Sequence, residues 1–126
     1  MKNKMIISDE DFQQICEQIY TDPEFRKYED FAEFLENADK VESHKIPAGT
    51  VRLNSSVELF DPESQEVINK MIVLPPALLD HELSVLSPVG MAVFGKKKQS
   101  TVKCKVPQGT RVLQLKNVIQ PQAVYS

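Results

Sequence analysis

A stretch of twelve residues decides the fold of this chain: Ser84-Val85-Leu86-Ser87-Pro88-Val89-Gly90-Met91-Ala92-Val93-Phe94-Gly95. Ser87 suits the N-cap of a helix, because its hydroxyl can accept a hydrogen bond from a free backbone N–H group in the first turn. Pro88 is favoured in that first turn, and Gly95 is favoured just beyond the last one. The stretch therefore predicts a short helix from Pro88 to Phe94, preceded by a short strand over residues 83–86.

Runs of β-branched and apolar residues on both sides of this stretch predict strands separated by turns. Asp61-Pro62-Glu63-Ser64 and Pro107-Gln108-Gly109 have the composition of turns, and Pro75-Pro76 ends a strand. The predicted strands outside the twelve residues cover 51–53, 56–60, 66–74, 101–106 and 111–119. Residues 46–126 are therefore predicted to form an α+β domain that contains an antiparallel sheet and one short helix.

The first 45 residues have a helical period instead. Ser8 is a good N-cap, and the acidic residues 9–11 suit the positive end of a helix dipole. Asp22 and Pro23 interrupt the pattern and can begin a second helix. The two apolar stripes are Phe12, Ile15, Cys16 and Ile19, then Phe25, Tyr28, Phe31, Ala32, Leu35 and Ala38. Residues 1–45 are therefore predicted to form a short antiparallel helical hairpin, whose first helix spans about 20 Å.

Composition limits the class of protein. The chain has 126 residues and a net charge of −3, which fits one compact domain with an appendage. No apolar run approaches the roughly 20 residues that a membrane span requires, and the start of the chain does not resemble a signal peptide. We expect a cytoplasmic protein in which Cys16 and Cys104 remain reduced.

Charge is distributed unevenly along the chain. Residues 1–43 contain 12 acidic and five basic side chains, a net −7, whereas residues 44–126 carry a net +4. Two solvated surfaces can differ in this way without consequence. The alternative is that the asymmetry orients the protein on a partner whose surface carries both signs.

Residues that could carry out chemistry are sparse. His44 and His81 are 37 positions apart, and neither has the neighbouring ligands of a metal site. Asp80-His81-Glu82 is predicted to be a solvent-exposed loop. The four glycines are too scattered to form a phosphate-binding loop, and no known catalytic motif surrounds a serine or cysteine nucleophile. We therefore expect no enzyme activity, no metal, no cofactor, no small-molecule substrate and no membrane partner.

A basic cluster lies in the last third of the chain. It comprises Lys96, Lys97 and Lys98, together with Lys103, Lys105, Arg111 and Lys116. Phe94 is the only aromatic residue close by, and its position before Gly95 suggests a place in the core. The cluster is interpreted either as a solubilising surface or as a weak contact to nucleic-acid phosphates.

The twelve-residue stretch resembles the signature of the C-terminal domain of GreA/GreB transcription elongation factors, Ser-x-x-Ser-Pro-aliphatic-Gly-x-Ala-aliphatic-x-Gly. Val106-Pro107-Gln108-Gly109 is similar to the hairpin of the same family. The resemblance extends over about 80 residues and implies an FKBP-like fold that docks near the secondary channel of bacterial RNA polymerase. This resemblance is carried by specific residues of the chain and not by its overall composition.

The resemblance implies a partner-binding segment, for which the candidate residues are Ser84, Leu86, Ser87, Pro88, Val89 and Met91. The alternative is that the segment is purely structural, with Ser87 capping a helix and the glycines allowing close packing. Two positions depart from the family. Lys96-Lys97-Lys98 replaces a Gly-Asp-Glu-like turn, and Leu86 replaces an acidic residue that contacts polymerase in some members.

The short arm is most similar to the regulator of nucleoside diphosphate kinase, the Rnk-like branch, which binds polymerase without cleavage activity. Cleavage factors of the family have a longer coiled coil with an acidic pair at its tip that helps to hold Mg²⁺. Asp22 and Glu24 could imitate this pair. Three alternatives thus stay open: cleavage stimulation by the tip, prolyl isomerisation by the FKBP-like domain, and regulation of another enzyme such as a nucleoside diphosphate kinase.

Overall fold

The computed structural model describes residues 5–121. The chain divides into two compact units, which we call the arm unit, up to Pro47, and the body unit, from Ala48 onward. No helix among the described residues is long and apolar enough to cross a membrane.

The arm unit contains two helices flanked by two short strands. Ser8 caps the first helix as predicted, because its hydroxyl oxygen accepts a hydrogen bond from the Asp11 backbone N–H at 3.0 Å. The elements are β1 (Ile6–Ser8), α1 (Asp9–Tyr20), a 3-10 helix (Phe25–Tyr28), α2 (Glu29–Asn37), β2 (Asp39–Val41) and a second 3-10 helix (Ser43–Lys45). Strands β1 and β2 pair in parallel, with Ile7 opposite Lys40. This pairing was not predicted, since three-residue strands show no alternation that a sequence pattern could reveal.

The second helix begins later than the sequence predicted. Residues 25–28 form a 3-10 helix, because the Phe25 N–H donates to the Asp22 carbonyl and the Lys27 N–H to the Glu24 carbonyl. Phe25 consequently remains 39% exposed. The predicted stripes otherwise supply most of the buried apolar side chains of this unit, which are Ile7, Ile15, Ile19, Phe31, Ala32, Leu35, Ala38 and Ile46.

The body unit is a five-stranded sheet with one short helix. Its elements are β3 (Ser56–Asp61), β4 (Glu66–Val73), β5 (Glu82–Ser84), α3 (Pro88–Val93), β6 (Thr101–Val106) and β7 (Gly109–Ile119). The strand order is β5-β4-β3-β7-β6. All neighbours are antiparallel except β4 and β5, which are parallel. The predicted strand at 51–53 is wrong. The Ser55 hydroxyl accepts a hydrogen bond from the Arg52 N–H at 2.9 Å and stabilises a turn at these residues. An isolated β-bridge joins the preceding residue, Thr50, to Lys97.

One face of the sheet supplies the core of the body unit. Strand β3 alternates, with Val57, Leu59 and Asp61 buried and the residues between them half-exposed. The other buried apolar side chains come from β4, β6, β7, α3 and the loops: Val51, Leu53, Ile72, Val73, Val85, Leu86, Val93, Phe94, Val102, Cys104, Leu113, Leu115 and Val118. Phe94 is a core residue, as its position before Gly95 predicted.

Asp61 is a buried charge at the end of β3. Its carboxylate accepts a hydrogen bond from Nε of Arg111 at 2.9 Å and another from the Glu63 N–H at 2.9 Å. The Arg111 hydrogen bond lowers the pKa of Asp61 below its ordinary value of 3.8, assisted by the backbone N–H groups of Glu63 and Ser64 and opposed by burial. Arg111 therefore holds the turn between β3 and β4 in place, and its charge is compensated within the sheet.

This ion pair should make stability depend on pH in acid. Because the folded-state pKa is lowered, its stabilisation is complete above about pH 3.8 and disappears as the pH falls through the lower folded-state value. Asp61→Asn is therefore expected to lower the free energy of unfolding at pH 7, and the difference from the unmodified protein should shrink below pH 3.8. Urea titrations at several pH values measure this. Glu63→Gln, an exposed carboxylate in the same turn, is the control; an equal pH profile for both variants would contradict the assignment.

The two cysteines are free thiols, Cys16 half-buried and Cys104 buried. Burial raises the pKa of both thiols, and Glu36 raises that of Cys16 further. A raised pKa keeps a thiol protonated at neutral pH, and the thiol is the unreactive form.

Candidate partner-binding site

The Ser-Pro segment, residues 84–91, contains the predicted partner-binding residues. Ser87 is the N-cap of α3, and its hydroxyl accepts a hydrogen bond from the Gly90 N–H at 3.1 Å. The same hydroxyl donates to the Ser84 carbonyl at 2.6 Å. The hydroxyl of Ser84 accepts in turn from the Leu86 N–H at 3.0 Å. Both serine hydroxyls are therefore engaged in hydrogen bonds that shape the segment.

Gly90 allows α3 to pack directly on the end of β5. A Cβ atom at this position would lie 2.0 Å from the Ser84 carbonyl oxygen and 2.9 Å from Cα of Val85. Backbone atoms cannot rotate away as the end of a side chain can, so every larger residue is excluded here. The glycine of the signature is thus required by the close approach of two backbone segments.

The remaining predicted residues differ in how accessible they are. Pro88 is exposed, and Val89 and Met91 are half-exposed. Leu86 is only 8% exposed, so its side chain contributes to the core and offers a partner little surface. Pro88 and Met91 are three positions apart on α3 and therefore share one face of the helix. The accessible part of the segment is small, apolar and rigidly supported from beneath.

The chain reverses after α3 at Gly95, which has a φ of +79°. The next three residues, Lys96, Lys97 and Lys98, form the turn in which this chain departs from the family signature. The Val51 N–H donates to the Lys96 carbonyl at 2.8 Å, and the Lys98 N–H donates to the Gly49 carbonyl at 2.8 Å. The departure therefore leaves an ordered turn, in which Lys97 and Lys98 are exposed.

The tip of the arm unit contains the two predicted acidic residues. The Asp22 carboxylate accepts a hydrogen bond from the Glu24 N–H at 2.8 Å, which stabilises the turn between the helices. Glu24 is exposed and Asp22 is half-exposed. One carboxylate of the pair is therefore engaged in the local turn.

Potential metal ligands lie apart from one another. Within residues 5–121, no group of three or more His, Cys, Asp or Glu side chains is arranged to hold a metal ion. The Glu82 carboxylate of the Asp80-His81-Glu82 sequence accepts hydrogen bonds from the Leu78 and Leu79 N–H groups, both at 3.1 Å. This side chain therefore organises the loop before β5.

The sequence profile described as "Transcription elongation factor, GreA/GreB, C-term" matches residues 46–120. The chain belongs to the GreA/GreB family. The match includes the Ser-Pro segment, α3 and all five strands of the body unit, so the resemblance stated from the sequence is confirmed at the level of the family. The α+β class is confirmed as well, with the parallel β4–β5 pair as a difference from the purely antiparallel sheet that was predicted.

Among curated members, GreA of Dehalococcoides mccartyi is 33% identical over 78 residues, which are 60% of this chain and 50% of that protein. GreA of Syntrophotalea carbinolica is 30% identical over 86 residues, 67% of this chain and 54% of that protein. This GreA/GreB family chain thus spans about half the length of the curated relatives that it matches.

A solved GreA/GreB elongation factor from Nitrosomonas europaea resembles nearly the whole chain. It has a TM-score of 0.78 at 25% identity, and the alignment covers 94% of this chain and all of that one. Gfh1 of Thermus aquaticus has a TM-score of 0.51 at 16% identity, with 94% of this chain and 100% of that chain covered, which shows a common fold only.

Arg111 belongs to the predicted basic cluster, and its partner Asp61 was not predicted. The pairing with Asp61 joins residues 50 positions apart, and no local pattern signals it. The two side chains meet because β3 and β7 are antiparallel neighbours in the sheet.

Proposed function

We propose that this chain binds RNA polymerase near its secondary channel through the body unit and that it supplies no residues for transcript cleavage. The proposal rests on the structure of the Ser-Pro segment. Its signature residues build a rigid support, through Ser87, Ser84 and Gly90, for an accessible apolar face on α3. A preorganised apolar face loses little conformational entropy on binding, which favours a protein partner.

The dimensions of the arm unit support a role without cleavage. Helix α1 has 12 residues and α2 has nine, which correspond to about 18 Å and about 14 Å of helix. The cleavage factors that the sequence resembles have a considerably longer arm. The Asp22 carboxylate is also engaged in the local turn, where it accepts a hydrogen bond from the Glu24 N–H. A short arm is the feature that this chain shares with the Rnk-like branch, to which we assign it.

Competition for core RNA polymerase tests the docking proposal. We expect the chain to bind polymerase and to be displaced by a GreA protein that stimulates cleavage, because both would occupy the same surface. Fluorescence anisotropy of the labelled chain, titrated with polymerase and then with GreA, measures both steps. Binding that GreA cannot displace would place the site elsewhere, and absence of binding at low salt would transfer the function to another partner, such as a nucleoside diphosphate kinase.

Transcript cleavage in stalled elongation complexes tests the second half of the proposal. The chain is expected to leave the cleavage rate at the background level, with or without the double substitution Asp22→Asn and Glu24→Gln. Stimulation by the unmodified chain that this double variant abolishes would establish the alternative role of the arm tip and overturn the proposal.

A further inference from the structure

The body unit separates its charges by strand. After Glu82, the chain contains no acidic residue, and its seven basic residues lie between Lys96 and Lys116. The strand order β5-β4-β3-β7-β6 places these basic residues on β6, on β7 and in the turn that precedes them. The acidic residues of the unit lie on β3, β4, β5 and the loops between these strands. One edge of the sheet is consequently basic.

Six lysines form this surface, which we call the basic edge: Lys96, Lys97, Lys98, Lys103, Lys105 and Lys116. The turn that carries the first three is fastened to β7. The Gln99 N–H donates to the Leu115 carbonyl at 2.7 Å, and Nε2 of Gln99 donates to the Lys116 carbonyl at 3.1 Å. The surface is therefore a fixed feature of the sheet and not a flexible tail.

Strand β6 extends the surface along the edge. Val102 and Cys104 are buried, so Lys103 and Lys105 both point outward, and both are exposed. Two residues along a strand correspond to about 7 Å. Successive phosphates of one strand of duplex DNA rise by about 3.4 Å along the helix axis and also rotate about it, so they lie farther apart in space than this rise. The two lysines are thus near enough to each other to contact neighbouring phosphates of one strand.

The charge of the basic edge is uncompensated. None of its six ammonium groups has a carboxylate within 4.0 Å among residues 5–121, whereas Arg111 is paired with Asp61. Lysines on an edge strand also discourage pairing with other sheets, which would account for Lys103 and Lys105. Protection of the sheet edge does not account for the lysines of the turn, nor for Lys116, which lies on an interior strand.

The side chains favour a particular kind of polyanion. Lysine is a point charge without the planar fork with which arginine reads guanine, so contacts would be to phosphates. Binding of single strands relies on exposed aromatic side chains for base stacking. Phe94, the aromatic residue next to the turn, is 1% exposed, and the large exposed aromatics of the described chain, Tyr20 and Phe25, belong to the arm unit. We propose that the basic edge binds the phosphate backbone of double-stranded nucleic acid without reading its sequence.

Salt-dependent binding to two 20-base-pair DNA duplexes of unrelated sequence tests this proposal. Six phosphate contacts would lower the affinity about 1,000-fold between 50 and 200 mM salt, equally for both duplexes. Lys103→Gln with Lys105→Gln should weaken binding at 50 mM salt by about 10-fold or more and should reduce the slope of log affinity against log salt by about 1.8. The control is Lys27→Gln with Lys45→Gln, which changes the net charge equally in the arm unit and should leave both quantities unchanged.

Three results would overturn the proposal. They are absence of duplex binding at 50 mM salt, equal weakening by the control pair, and binding of polyaspartate as tight as that of duplex, which would indicate an acidic protein as the partner. The proposal is independent of polymerase docking. Lys103→Gln with Lys105→Gln is expected to bind nucleic-acid-free polymerase like the unmodified chain, so failure of either proposal can be recognised separately.

Discussion

Gly90→Ala is expected to lower the free energy of unfolding of the body unit by about 3 kcal/mol or more, the upper end of the cost of overpacking. The added methyl carbon would lie 2.0 Å from the Ser84 carbonyl oxygen and 2.9 Å from Cα of Val85. Helix α3 would have to move away from β5, which would strain the Ser84–Ser87 and Ser87–Gly90 hydrogen bonds together. The cost is steric, because alanine otherwise favours a helix over glycine.

Urea denaturation, followed by the amide signals of β3 and β7, measures this effect. For a slope of about 1.5 kcal/mol per M, the midpoint should fall by about 2 M. Val89→Ala is the control, since it places alanine at the preceding position of the same helix, where the side chain is half-exposed. Its midpoint should change by less than half as much. A midpoint for Gly90→Ala equal to that of the unmodified protein would show that α3 and β5 do not approach so closely in solution.

The second large effect concerns docking on polymerase. Pro88→Ala with Met91→Ala removes the accessible apolar face of α3 and retains Ser87, whose hydroxyl holds the segment together. Truncating the central residues of an interface commonly costs about 2 kcal/mol or more, which is about 30-fold in affinity. We therefore expect the dissociation constant for core polymerase to rise by about 30-fold, measured by the anisotropy titration described above, with an unfolding midpoint close to that of the unmodified protein.

The matched control truncates two exposed apolar residues elsewhere on the body unit. Leu78, which is 80% exposed in the loop before β5, and Val112, which is 39% exposed on β7, are suitable. Leu78→Ala with Val112→Ala should leave the affinity within about two-fold. If both double variants bind like the unmodified chain, the docking surface is not α3. If both lose affinity equally, the loss reflects apolar area in general and not the Ser-Pro segment.

Local signals accounted for most of the secondary structure. The caps at Ser8 and Ser87, the turn at Asp61-Pro62 and the hairpin around Pro107-Gln108-Gly109 each depend on residues a few positions apart. Predictions from these local signals were wrong where other hydrogen bonds determined the backbone conformation. A serine hydroxyl turned residues 51–53 away from a strand, and Asp22 with its 3-10 hydrogen bonds delayed the start of α2.

The candidate site, too, was predictable from the sequence only in part. The Ser-Pro segment is recognisable from twelve consecutive residues, and the lysines could be counted along the chain, but their accessibility could not. Leu86 and Val89 are both aliphatic and only three positions apart, yet one is 8% exposed and the other half-exposed, because the Leu86 side chain belongs to the core while Val89 lies on α3.

The sequence by itself determined the family and the capped helix that begins at Pro88, because these follow from interactions between near neighbours. Only the tertiary structure decided which residues meet across the sheet. The pairing of β3 with β7 brings the side chains of Asp61 and Arg111 within 2.9 Å of each other, so the charge of that arginine is compensated. The strand order then places Lys103 and Lys105 on the edge strand β6 and Lys116 on the neighbouring strand β7. Such contacts join residues far apart in the chain, and their geometry arises only when burial of the apolar face aligns the strands.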